Sequence, residues 1–344
     1  MVCCDCTAKS KEADKMKAEL QALCDSFITN RDAVREAFKW DSAYIYPVCA
    51  NLFCAHGKAA DTEELKSCKK IIESQTGIFS NFRGNIRPAL AAMLALSDRP
   101  EEKMSQALEN YSLLKQEFWG SEYLALVAFL LTDLADRSQI EEKASRGKVI
   151  YKRMQKEHPF LTSSEDSVFA VLMAFSDKTD DDLIYDMEAC YTVLKERFSI
   201  GNEVQTVSHI LSLTDGGPDE KARRVIDLYN ALRDAGVKYG RYYELSTLAA
   251  LSVTGVGIPD LVLDIQEAND FLKGQKGYGG VFGLDAKTRA MHAALLVSDL
   301  YTNREQTNTA AMTSTLVQII AQEMAMCAIT ASVAASSVAA SSSH

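Results

Sequence analysis

Apolar residues recur along this chain at i, i+3, i+4 and i+7, the spacing that gathers them on one face of an α-helix. Val225, Leu228, Tyr229 and Leu232 show it without a break, as do Met187, Cys190, Tyr191 and Leu194. Looser copies run through Leu65, Cys68 and Ile72, through Tyr111 and Leu114, and through Ile150, Tyr151 and Met154. After each comes a short linker with a bulky residue: Phe82, Trp119, Phe160, Phe198 or Val237. Next comes a segment that is apolar nearly all round: RPALAAMLAL (87–96), YLALVAFLL (123–131), SVFAVLMAFS (167–176), VSHILSL (207–213) and LSTLAALS (245–252). Such a helix must be covered on most sides, so it is expected between neighbouring pairs. No strand-like alternation bounded by turns persists. The expected fold class is all-α.

Helix-start acids recur at a nearly fixed period. Glu63, Glu101, Glu141, Asp181, Asp219 and Asp260 follow one another at an even spacing along the chain. Acids there favour the positive end of the helix dipole, and proline suits the first helical position. The spacing is roughly 40 residues, a period that marks stacked repeats and is nearer HEAT or armadillo units than tetratricopeptide units. The expectation is an α-solenoid of about six to seven two-helix repeats, a HEAT/TPR-like right-handed stack forming a curved rod. The stretch 14–57 reads as an early copy and about 259–298 as the last. The expected domains are a disordered Cys-rich start (1–13), one solenoid (14–302), an Ala-rich capping helix (303–335) and a disordered Ser-rich tail (336–344).

The net charge of −10 opposes non-specific attraction to nucleic acid or anionic membrane, so no nucleic-acid partner is expected. Nine cysteines in irregular positions, without a secretory signal, argue against a disulfide framework and for a reducing, cytoplasmic setting. Beyond Gln306 the residues are mostly Ala, Ser, Thr, Met and Val, with Glu323 the one charge before His344. A span needs an apolar run of roughly 20 residues. Gln318, Gln322 and Glu323 interrupt any such run, so no stable membrane span is expected.

Catalytic signatures are scarce. Neither H-E-x-x-H nor G-x-S-x-G occurs, and GQKGYGGVFG (274–283) follows a helix and matches no phosphate-loop pattern. Cys3, Cys4 and Cys6 have no second Cys/His pair at zinc spacing and read as reactive thiols on a loose end. His209 and His292 sit inside apolar helices, where a core histidine with one hydrogen-bond partner is the ordinary outcome. The Tyr111, Tyr151, Tyr191 and Tyr229 series falls on the buried stripe and reads as packing. No metal site and no cofactor is expected.

NIRPALAAMLAL (85–96), the stretch from FLTSSED (160–166) to AVLMA (170–174), VSHILSL and YNALRDAGVK (229–238) resemble the domain of unknown function 4003 family. The resemblance spans most of the chain but not its first six residues. It implies a cytosolic, helical bacterial protein and no particular activity. The leading expectation is a non-enzymatic scaffold that binds a protein or peptide along a concave groove. Two alternatives stand beside it. One is a small-molecule or metal-dependent enzyme with Arg87, His209, Tyr243, Arg289 and His292 as polar groups facing that groove. The other is a scaffold tethered to membrane by its C-terminal helix.

Overall fold

A computed structural model describes residues 16–39, 41, 45–199, 201–279 and 283–302. Its helices fall into seven hairpins: α1 (Ala18–Ala37) with α2 (Ile45–Ala55), α3 (Thr62–Gln75) with α4 (Arg87–Ala95), α5 (Pro100–Leu114) with α6 (Glu122–Leu134), α7 (Arg137–Glu157) with α8 (Asp166–Met173), α9 (Asp180–Leu194) with α10 (Asn202–Ser212), α11 (Pro218–Asp234) with α12 (Leu245–Ser252), and α13 (Ile258–Lys273) with α14 (Ala286–Thr302). A 3₁₀ turn, Asn81–Arg83, precedes α4. No strand occurs among the described residues, and the protein is all-α. The expected segments 1–13, 303–335 and 336–344 lie outside the described residues.

The sequence's start signals act as caps. Asp61 accepts the amides of Glu63 and Glu64 at the head of α3, and Thr179 accepts that of Asp182 at the head of α9. Proline stands in the first turn of α5, α11 and α13. The first helix of each pair buries one stripe, as with Val225, Leu228, Tyr229 and Leu232 of α11. The second is buried on nearly all sides. Every residue of α8 and α12 is buried, and so is every residue of α10 from Val204 onward.

The two kinds of helix occupy two layers. Odd-numbered helices pack on one another in order, α1 on α3 through to α11 on α13, and even-numbered helices form a second series inside them, with the 3₁₀ turn bridging α4 and α6. Both series close. α13 returns onto α1, and α14 packs on α2 as well as α1. Lys17, at the head of α1, donates to the fully buried carboxylate of Asp264 on α13 at 2.8 Å and to the hydroxyl of Tyr301 on α14 at 2.9 Å. Phe27 of α1 meets His292 of α14 with ring centroids 6.2 Å apart. The expected open rod therefore does not form. The hairpins make a ring, an outer circle of amphipathic helices around an inner circle of apolar ones. A stack with free ends leaves its first and last repeats half-covered, whereas here each covers the other.

Closure gives the ring two unlike ends. At one end the outer helices begin, with Glu63, Glu64, Glu101, Glu102, Asp180, Asp181, Asp182, Asp219 and Glu220 in their first turns. The inner helices finish there, and cations cap their last carbonyls. Arg146 donates to Ala174 and Ser176 oxygens beyond α8 at 3.0 and 2.7 Å. Lys221 reaches Leu211 and Thr214 at the end of α10, and Arg224 reaches Ser252 at the end of α12. At the other end the inner helices begin.

Gly147 marks a close crossing of the two layers. A Cβ there would lie 3.0 Å from the Cα of Val171 and 3.1 Å from the carbonyl oxygen of Ala170. Gly147→Val should lower stability by about 1–3 kcal/mol, because the clash is with backbone that cannot swing aside. A denaturant titration checks it; unchanged stability would mean that α7 and α8 separate freely.

Candidate functional site

The end where the inner helices begin is assembled by contacts between successive hairpins. Glu122 of α6 accepts the amide of Ile86 ahead of α4, and the hydroxyl of Tyr123 donates to Glu165 ahead of α8 at 2.8 Å. Gln205 of α10 donates to Thr162, and Tyr243 meets Thr288 of α14 at 3.2 Å. Rings reinforce these bonds. Phe82 packs edge-on against Tyr111, Phe118 against Tyr151, and Phe198 against Tyr229, with centroids 5.1, 5.8 and 5.1 Å apart. His158 takes the same place against Tyr191 at 4.4 Å. In each case a linker ring meets a tyrosine on an outer helix, so the tyrosine series is packing, as its spacing predicts.

Beside these packed rings, a second large side chain turns outward on three linkers. Phe79 is 97% exposed, Trp119 93% and Phe160 98%, and Tyr242 is also exposed. Phe79, Trp119 and Phe160 recur at the repeat spacing, each between an outer helix and its inner partner. They therefore share one rim of the ring. A scattered exposed apolar residue needs no explanation, but near-complete exposure at the same place in three successive hairpins does. Cations stand among them: Lys115, Lys195, Arg197, Lys238 and Arg241 all occupy linkers of this rim.

The five sequence candidates are held by different partners. Arg87, at the start of α4, donates to Asp41 at 3.1 Å and Glu73 at 3.4 Å. Arg289 donates to Asn269 of α13 at 3.0 Å. His292 is buried and its Nδ1 lies 2.8 Å from the hydroxyl of Tyr278, a residue of the glycine-rich loop. Tyr243 joins α12 to α14 through Thr288, one position before Arg289. His209 stands apart, its ring on Phe169 and its Nδ1 3.5 Å from a carboxylate oxygen of Asp166. Arg289 and His292 thus share α14, which Tyr243 reaches through Thr288, while Arg87 and His209 belong to other hairpins.

Asp166 and His209 look like an ion pair by distance, but burial dominates both. It pushes the Asp166 carboxyl up to about 7 and the His209 imidazole down to about 3. Attraction between charges would move each the opposite way, so the pair is neutral across mildly acidic pH. Gln205 Oε1 and His209 Nδ1 lie buried there without a hydrogen-bond partner. Among the described residues no group of three or more His, Cys, Asp or Glu side chains is arranged to hold a metal ion. Nor is any described helix long and apolar enough to cross a membrane.

Residues 30–325 match the family described as Protein of unknown function (DUF4003). The chain belongs to that family. Among curated proteins it is similar to "Uncharacterized protein YeaA" of Bacillus subtilis (strain 168), 25% identical over 242 residues that cover 68% of this chain and 73% of the relative. No solved structure matches. The rim of this DUF4003 chain holds what sequence reasoning passes over. By sequence Trp119 and Phe160 are linker residues of the same kind as Phe82, Phe198 and Val237, yet the first two face water and the other three are buried. The signal that separates them is register. Phe118 and Trp119 are adjacent, one in and one out, and the outward series repeats at Phe79 and Phe160.

Proposed function

We propose that this protein is a non-enzymatic docking module of the cytoplasm that engages a protein partner through the aromatic rim. The observation that carries the reading is the outward Phe79, Trp119 and Phe160 at one end of the ring. Exposed aromatics of this kind act as anchors when a partner supplies pockets, since each buries a large area at small conformational cost. The surrounding Lys115, Lys195 and Arg197 suit a partner with acids around its pockets. A closed ring has no open inner curve, which favours a partner seated on the rim over an extended peptide in a concave groove.

Phe79→Ser, Trp119→Ser and Phe160→Ser combined should leave the melting temperature within a few degrees, because those side chains touch little in the fold. The same variant should lose the partners that the unaltered protein retains in an affinity capture from its own cytosol read by mass spectrometry. Identical capture by both proteins, or no specific capture by either, would sink the reading.

A further inference from the structure

Where the sixth and seventh hairpins meet on this rim, a cavity of about 330 Å³ is lined by Tyr229, Arg233, Tyr239, Arg241, Tyr242 and Lys287. Tyr229 and Tyr239 are buried and form its floor, and the hydroxyl of Tyr239 is tied to Thr247 and to the Glu244 carbonyl. Arg233 comes from α11, Arg241 and Tyr242 from the linker before α12, and Lys287 from the first turn of α14. The three cations converge from three elements, and none forms an ion pair with another described residue. Lys287 instead stands over the ring of Tyr242, with Nζ 6.0 Å from the centroid.

Several cations elsewhere lie close to acids. Arg87 and Arg146, on other hairpins, are each paired with carboxylates. Another sizeable cavity, about 500 Å³ between α1 and α3, mixes Lys66, Lys69 and Lys70 with Glu63 and Glu73, and Lys66 is bonded to Glu63. No carboxylate lines the cationic cavity. Two acids lie near without lining it: Glu244 is buried, accepts the amide of Tyr242 and feels the charge of Lys287, and Asp285 caps α14 through the amides of Lys287 and Thr288.

Three such cations around a tyrosine floor match a compact dianion carried on a flat ring. Two guanidinium forks take phosphate oxygens in pairs, an ammonium supplies a third charge, and an aromatic face accepts the ring. The volume falls at the lower end of the range for small-molecule sites, enough for one such ligand. The overall charge of −10 does not oppose this locally, because the acidic helix starts gather at the opposite end of the ring. We propose that the cavity of Arg233, Arg241 and Lys287 binds a small phosphate monoester bearing a planar ring, of mononucleotide size. The site is independent of the docking reading, since Phe79, Trp119 and Phe160 do not line it.

Calorimetric titration of the full chain with a nucleoside monophosphate, inorganic phosphate and the uncharged nucleoside tests it. The monophosphate should bind, phosphate alone more weakly and the nucleoside not at all, with affinity falling as salt rises. Arg233→Gln with Arg241→Gln should weaken binding about tenfold or more, as loss of two charge-assisted contacts requires. The Phe79, Trp119 and Phe160 variant should bind as the unaltered protein does. No binding of the monophosphate, or equal binding by the Arg233→Gln, Arg241→Gln protein with its melting temperature intact, would overturn the assignment.

Discussion

Ending the chain at Gly257, which removes α13 and α14, should abolish cooperative unfolding rather than shorten the protein by one repeat. In an open stack a terminal hairpin covers one neighbour, and its loss leaves the others nearly as stable as before. In the ring it covers two. Leu261, Ile265, Leu272, Leu296 and Val297 are fully buried, and so is Leu20 on α1 across the seam. Asp264 and Tyr301, the partners of Lys17, leave with the deleted segment. The loss falls on what those residues covered, the faces of α1, α2, α11 and α12 that α13 and α14 pack on. Each large apolar side chain returned there to water forfeits roughly 1.5–3 kcal/mol, so a few of them match the roughly 5–15 kcal/mol that a domain holds in reserve. Circular dichroism on heating, with a dye that reports exposed apolar surface, checks the outcome. A sharp transition near that of the full chain would show that the closure at α1 contributes little.

Opposite tilts in the pH dependence of stability should follow from Asp299→Asn and His292→Gln. Asp299 of α14 is buried beside Asn51 of α2, and burial pushes its carboxyl well above the ordinary carboxylate range. The folded protein therefore keeps a proton that the unfolded chain releases above about 4, and Asp299 costs stability as pH rises past that point. Asp299→Asn removes this cost, so its stability relative to the unaltered protein should grow by about 1.4 kcal/mol per pH unit. His292 carries the opposite sign. Burial lowers its imidazole to about 3, so the unfolded chain takes up a proton below about 6.5 that the folded one refuses. Stability is lost as pH falls through that window, by an amount on the order of 3–5 kcal/mol over its whole width. His292→Gln should therefore gain on the unaltered protein toward acid. Denaturant titrations at several pH values between 4 and 7 read both differences. Curves parallel to that of the unaltered protein would mean that these groups reach water in the folded state.

Much of the architecture was legible because helix periodicity, capping acids and bulk apolarity are local. Val225, Leu228, Tyr229 and Leu232 declare a buried stripe, Asp219 and Glu220 declare where that helix starts, and LSTLAALS declares a helix with no free face. The two core histidines are buried as their apolar surroundings imply, but the one expected hydrogen-bond partner is present for His292, in Tyr278, and absent at His209 Nδ1. The rim was legible in part. Its aromatics stand at repeat spacing, but whether Phe118 or Trp119 points inward depends on the angle at which a linker enters its helix. The cationic cavity was not legible. Arg233, Arg241 and Lys287 are ordinary surface residues one by one, and they become a site when α14 is set against the linker before α12.

By itself, then, the order of residues determined the helices, their pairing into hairpins and which member of each pair is apolar on nearly every side, because those follow from contacts within a few turns of chain. Closure belonged to the tertiary structure alone. The repeat period is compatible with a rod or a ring, and the choice depends on a small rotation per hairpin that accumulates around the whole molecule. Lys17 finds Asp264 across 247 positions of sequence, and no local pattern announces a bond of that reach. The outward aromatics share one rim and the helix-start acids the other because each set holds one place in the hairpin, and closure turns those two edges into the two ends of a ring.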